Sequence, residues 1–122
     1  MKQLPYSRAD RVADQVQKVV ATFFYQDHFD DRLQGINVTG IRMTKDLRVA
    51  YVYYFITGDA AQRGACSEAL QEIKGTLRKS ISDQIQLKFA PDLKFFFDES
   101  IERGERIDQL LADLKRKESV SR

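Results

Sequence analysis

The sequence predicts an α+β fold, a small sheet of three strands with helices packed over it. Three observations support this. From Ser7 to Gln26 the apolar residues recur at helical spacing. The stretch LRVAYVYYFIT, Leu47 to Thr57, is dense in β-branched and aromatic residues, the composition of strands. A long helical pattern then separates that strand from a third, DLKFFFD, at Asp92 to Asp98. A helix that must pass between two strands covers a face of the sheet they share.

The elements run in order along the chain. The first six residues read as a loose tail. Ser7 is a candidate N-cap, and Val12, Val16, Val19, Val20 and Phe23 form the apolar stripe of the first helix. DHFDDRLQG is acidic and turn-like and ends at Gly35. INVTGIRMT predicts a strand whose alternation is interrupted at Gly40, the signature of a β-bulge or a close approach. Lys45 and Asp46 supply a turn. The next strand carries Leu47, Val49, Tyr51, Tyr53 and Phe55 on one face and Ala50, Val52, Tyr54 and Ile56 on the other. Gly58 ends it, and Asp59 can cap the next helix. From Ala60 to about Leu87, Ala65, Ala69, Ile73, Leu77, Ile81 and Ile85 step by four, with a break expected at Gly75. Pro91 stops the pattern, and Leu93, Phe95 and Phe97 alternate in the third strand. Ile107, Leu110, Leu111 and Leu114 predict a last short helix, with Lys115, Arg116 and Lys117 near its end.

Composition bounds the function. A chain of 122 residues, 43% hydrophobic and 31% charged, fits one folded domain over residues 1–122, with flexible ends at about 1–6 and 118–122. The formal net charge is +2 and the isoelectric point about 8.7. That permits a polyanionic partner, provided the cations cluster. One cysteine, Cys66, excludes an intrachain disulfide and suits a reducing cytoplasm. The opening MKQLPYSRADRV lacks a secretory apolar core, and no run of about 20 apolar residues predicts a membrane span.

Little in the chain suggests catalysis. His28, the only histidine, lies among Asp27, Asp30 and Asp31, where a solvated turn is the simpler reading than a metal site. Cys66 falls on the apolar side of its helix, so core packing outweighs a nucleophilic role. Neither G-x-x-x-x-G-K-[ST] nor G-x-G-x-x-G occurs. Asp92, Asp98 and Glu99 read as solvated strand ends and caps. No acid, base and oxyanion donor assemble, so neither an enzyme nor a cofactor is expected.

The order of strands and helices around a glycine resembles a bacterial KH domain. In KH domains a GXXG loop clamps about four nucleotides of RNA backbone, since glycine admits a close phosphate and a helix N-terminus favours anions. Longer motifs sharpen the resemblance. SRADRVADQVQKVV opens the chain. INVTGIRMTKDLRVAYVYY resembles a hairpin of pattern V-x-V-S-x-D-L-x-x-A-x-V-Y. EALQEIKGTLRKSI resembles a helix–kink–helix element. LKFAPDLKFFFDESIERGERIDQLL resembles R-x-x-P-x-L-x-F-x-x-D-x-S followed by G-x-R-I-x-x-L-L. In this order, from Arg8 to Leu114, they resemble the ribosome-binding factor A family.

That resemblance implies a KH-like fold of type II topology, with a helix–kink–helix at Gly75 in place of the GXXG loop. The family's usual kink is Ala-x-Gly; here Ile73, Lys74 and Gly75 stand there, so the glycine matches and Ile73 does not. It implies a non-catalytic assembly factor for the small (30S) ribosomal subunit. Such a factor binds small-subunit rRNA and supports late maturation and 5′-end processing of 16S rRNA, above all in the cold. The expected partner is therefore the small subunit and its rRNA, with no membrane and no small-molecule substrate, for a monomeric cytoplasmic protein. A general KH-like module for single-stranded RNA is the alternative, and a dimerising protein-interaction domain is a third reading.

Candidate RNA-binding residues emerge from charge and position. Lys74, Arg78 and Lys79 surround Gly75, which either admits RNA phosphates or lets helices pack closely. Arg42, Lys45 and Arg48 are expected to cluster at the hairpin turn. Arg8 and Arg11 lie one turn apart on the first helix. The set around Gly75 reads as RNA contact before solvated surface; the other two sets read equally as either. Tyr51, Tyr53 and Tyr54 are read as packing residues before base-stacking ones.

Overall fold

Ser7 sets the first helix. Its hydroxyl accepts the Asp10 amide at 3.1 Å, and the Asp10 carboxylate accepts the Ser7 amide at 3.0 Å. This reciprocal pair is a capping box with aspartate in the usual glutamate place. The computed structural model describes residues 6–26 and 30–100, and in it helix α1 spans Arg8–Gln26. Val12, Val16, Val19, Val20 and Phe23 are buried along one side, as their spacing predicts.

Strands β1 (Asn37–Met43) and β2 (Val49–Phe55) pair antiparallel. Their register shifts between Val38 and Gly40, so the bulge predicted near Gly40 is present. β3 (Asp92–Phe97) lies parallel to β2, giving the order β1-β2-β3. A parallel neighbour needs a crossover, and helix α2 (Ala60–Gln84) supplies it. Asp59 caps α2: its carboxylate accepts the Gln62 amide, and the Gln62 side chain accepts the Asp59 amide, both at 2.9 Å.

Both helices bury one face of the sheet. Ile41 and Met43 of β1, Ala50, Val52 and Tyr54 of β2 and Leu93 of β3 meet Val16, Val20, Leu70, Leu77 and Ile81 in one core. At the surface, Arg32 joins a short 3-10 turn (Asp31–Leu33) to α2. Its guanidinium lies 2.7 Å from Asp30 and 2.8 Å from Glu72.

Four expectations are corrected. Gly75 does not separate two helices; α2 is helical without interruption through it. Buried Leu70, Ile73, Leu77 and Ile81 hold the helix on the sheet, and such packing outweighs the ~1 kcal/mol propensity deficit of one glycine. Ile73, the departure from the family pattern, is one of these core residues. Second, α2 stops at Gln84 rather than near Leu87, because Ile85 is extended while its amide still reaches the Ile81 carbonyl. Third, Leu47 belongs to the turn and not to β2. Its φ is +62°, in the left-handed region that costs roughly 1–2 kcal/mol for a side-chain-bearing residue. The turn is held by the Leu47 amide on the Thr44 carbonyl at 2.9 Å. The Thr44 hydroxyl and Arg48 amide both donate to Asp46, at 2.7 and 3.1 Å. Fourth, Asp98 is not a solvated strand end. It is fully buried, accepts the Thr39 hydroxyl at 2.5 Å, and accepts both the amide and the hydroxyl of Ser100. The last predicted helix, Lys115 to Lys117, His28 with Asp27, and the two expected flexible ends apart from Tyr6 lie outside the described residues.

This architecture can be tested in two ways. Apart from its chain neighbours and the backbone of its own helix, a Cβ at Gly75 would meet no atom of the described residues within 4 Å, so Gly75→Ala is expected to raise stability by up to ~1 kcal/mol in urea denaturation. A loss of stability would contradict the open surroundings of Gly75. The carboxyls of Asp30 and Glu72, hydrogen-bonded by Arg32, and of Asp92, hydrogen-bonded by Lys74, lie below their ordinary values of 3.8 for Asp and 4.5 for Glu. Their folded values are depressed, so the stability they add is present above the unfolded values and lost as pH falls through the folded ones. The urea midpoint is expected to hold in mild acid and to fall below about pH 4.5. A midpoint that rises on acidification would contradict these pairings.

Candidate nucleic-acid interface

Gly75 is exposed on α2, and among the described residues no second helix packs closely against it. The three cations beside it do different things. The Lys74 ammonium sits 3.0 Å from Asp92, at the start of β3. Arg78 donates Nε to the Pro91 carbonyl at 3.0 Å and Nη2 to the Ala90 carbonyl at 3.1 Å. Both therefore anchor the chain leading into β3. Lys79 is mostly exposed and pairs with Asp83 one turn on, at 3.0 Å. Such a surface pair contributes only a few tenths of a kcal/mol, so Lys79 can exchange its partner for a phosphate.

The same chain segment borders a second cluster. The Asp92 amide donates to the Arg48 carbonyl at 2.7 Å, which ties β3 to the hairpin turn. Arg48, Arg8 and Lys88 line a cleft of about 270 Å³ together with Asp46, Leu47, Leu87 and Phe89. The Arg48 guanidinium lies 4.7 Å from the centroid of the Phe89 ring, and the Lys88 ammonium 5.6 Å from it. Phe89 is nonetheless 49% exposed. Arg11 is exposed one turn after Arg8, and Lys45 is exposed in the turn. The Thr44 hydroxyl and the Arg48 amide hold the Asp46 carboxyl below its ordinary value, so it is an anion within this basic rim.

Arg42 is elsewhere. It pairs in register with Tyr51, between the inward-facing Ile41 and Met43, and so lies on the sheet face away from the helices. The expected cluster of Arg42, Lys45 and Arg48 is thus only Lys45 and Arg48, joined by Arg8 from α1. On the far face Phe96 stacks on Tyr53, with centroids 5.5 Å apart, and lies 6.0 Å from Tyr51. Tyr54 points into the core. All three tyrosines pack against neighbours, as read from the sequence.

Lys88 and Phe89 were not singled out from the sequence. Lys88 stands at the arginine position of the R-x-x-P segment, which was its one signal; Phe89 occupies an unconstrained position of that pattern and had none. Cys66 is fully buried, and burial, with the nearby Asp30 charge, pushes its thiol up to about 11. Among the described residues no three His, Cys, Asp or Glu side chains gather as metal ligands, and no helix is long and apolar enough to cross a membrane.

Comparison with known proteins places this geometry. A family model described as ribosome-binding factor A matches residues 8–111. The chain is 38% identical over 110 residues to ribosome-binding factor A of Geobacter sulfurreducens, covering 90% of this chain and 93% of that one. The crystal structure of ribosome-binding factor A from Thermus thermophilus superposes with a TM-score of 0.64 at 23% identity, over 74% of this chain and 96% of that one. A homology model of the Thermus thermophilus factor, fitted into the cryo-EM map of its complex with the 30S subunit, gives a TM-score of 0.57 at 23% identity. It covers 73% of this chain and 93% of that one. The fold is therefore KH-like, and this chain belongs to the ribosome-binding factor A family.

Proposed function

We propose that the protein is a non-catalytic assembly factor that docks on the small ribosomal subunit by its rRNA. The observation that carries the proposal is the convergence of Arg8, Arg48 and Lys88 on one cleft, beside the segment that leads into β3, with Lys45 exposed in the adjoining turn. Cations so placed neutralise phosphates and release counterions, which gives affinity without chemistry. The family to which the chain belongs supports the ribosome as the site of docking, and the 30S complex of the Thermus thermophilus factor supports the small subunit.

In this reading the protein acts as a monomer in the cytoplasm and binds one conformation of a late-folding rRNA region better than the others. Differential binding shifts the RNA toward that conformation. It thereby supports late maturation and 5′-end processing of 16S rRNA, with most effect in the cold, where misfolded RNA escapes slowly. Lys74 and Arg78 contribute mainly by fixing the segment after α2, and Lys79 and the hairpin-end cations contribute contacts. Gly75 leaves the α2 surface low enough for a phosphate to approach the backbone.

Sedimentation with purified small subunits, large subunits and intact ribosomes tests this. Binding to small subunits alone, falling steeply with salt, is expected. Arg48→Ala with Lys88→Ala is expected to weaken it and to flatten the salt dependence by about one unit of slope for each phosphate left without its cation. Equal binding to all particles, or binding to unrelated single-stranded RNA as tight as to small subunits, would instead favour a general KH-like RNA-binding module. Gly75→Ala is expected to lower small-subunit affinity while raising stability, a combination that a merely tolerated glycine would not produce.

A further inference from the structure

Resting on that reading, we infer that the cleft beside the hairpin turn is a receptor for one unpaired RNA base, stacked on Phe89, with its phosphates held on the cationic rim. Phe89 is large, apolar and 49% exposed; Phe96 is exposed too, at 38%, but it lies on the sheet face, whereas Phe89 lines the cleft between Arg48 and Lys88. A single exposed ring is ordinary by itself; this one borders a cleft rimmed by cations, so a ligand entering the cleft covers it and gains the apolar area buried. Arg48 already lies over the ring, at 4.7 Å. A base added to the exposed part of the ring extends that stack, and the guanidinium plane itself offers a second stacking surface.

The distribution of charge says what enters and what stays outside. The half-buried lining is apolar, Leu47 and Leu87, and it is accompanied by the carboxylate of Asp46. An apolar wall with a carboxylate repels a phosphate and suits a planar base, whose amino and imino hydrogens a carboxylate accepts. Arg8, Arg48 and Lys88 are exposed around it, which suits the phosphates on either side of that base. The cleft, about 270 Å³, is large enough to take a nucleobase. Leu47 holds its place there through a left-handed backbone, φ +62°, fixed by the turn hydrogen bonds of Thr44, Asp46 and Arg48 described above. The wall is thus preorganised before any ligand arrives.

The chain contains no tryptophan, so Phe89→Trp places a single reporter in the cleft. Its fluorescence is titrated with a single-stranded RNA hexamer, the same hexamer as a duplex, and a hexamer of the same backbone carrying abasic sites. Quenching by the single strand, with little from the duplex or the abasic strand, is expected. Phe89→Ala is expected to lower affinity for the single strand by roughly 5- to 150-fold, the range for losing one base–aromatic stack, and Phe89→Tyr to retain it. No quenching, equal quenching by the abasic strand, or an unchanged affinity in Phe89→Ala would overturn the inference. Wild-type sedimentation with small subunits runs alongside. If it succeeds while the oligonucleotide arm fails, the base receptor falls and the assembly reading stands; if it alone fails, the reverse holds.

Discussion

Parallel pairing of β3 with β2 is the constraint on which the rest of the molecule depends. A parallel neighbour cannot be reached by a tight turn, so the chain must leave β2, cross the sheet and return. Helix α2 makes that crossing and buries Leu70, Leu77 and Ile81 against the sheet on the way. The return segment is then delivered beside the β1–β2 turn, where the Asp92 amide meets the Arg48 carbonyl. Arg78 on the Ala90 and Pro91 carbonyls and Lys74 on Asp92 fix that return. The candidate interface is a by-product of this crossover: three segments far apart in the chain, at Arg8, Arg48 and Lys88, converge because β3 has to start there.

The same constraint divides the cations into two kinds. Lys74 and Arg78 are half-buried and commit their hydrogen bonds to the protein's own backbone and carboxylates. Their removal would disturb the return segment as well as any RNA contact, so a loss of binding in those variants has two causes. Arg8, Lys45, Arg48 and Lys88 are exposed. A formal net charge of +2 is small for a polyanion binder, but it is an average over the chain, and the field near a cluster is set by local charge.

Much of the fold was legible because it rests on periodicity. The stripe from Val12 to Phe23, the alternation of Ala50, Val52 and Tyr54, and the step of four from Ala69 to Ile85 each name a buried face directly, while Ala65 at the start of that step is only half-buried. The parts that were not legible rest on partners distant in sequence. Leu47 reads as a strand residue, since nothing local announces that the Thr44–Asp46 hydrogen bonds will force a left-handed backbone. Asp98 reads as solvated, because Thr39, its hydrogen-bond partner, is brought to it only by the sheet. Gly75 was recognised as exceptional, yet its open surroundings on a continuous helix are a three-dimensional fact. Of the candidate site, Arg8, Lys45 and Arg48 were found by charge, and Lys74, Arg78 and Lys79 by their nearness to the glycine. Phe89 was missed because one aromatic after a helix looks like core until its exposure is known.

The central claim is that RNA meets the end of the molecule formed by the hairpin turn and the segment after α2, and not the aromatic face of the sheet. Hydrogen exchange of the protein, free and bound to purified small subunits, tests this most directly. The account expects new protection at residues 44–48 and 85–90 and around Gly75, with the β1 and β2 amides near Arg42 and Tyr51 unchanged. Protection confined to those strand amides, with the turn and the segment after α2 exchanging as in the free protein, would contradict it.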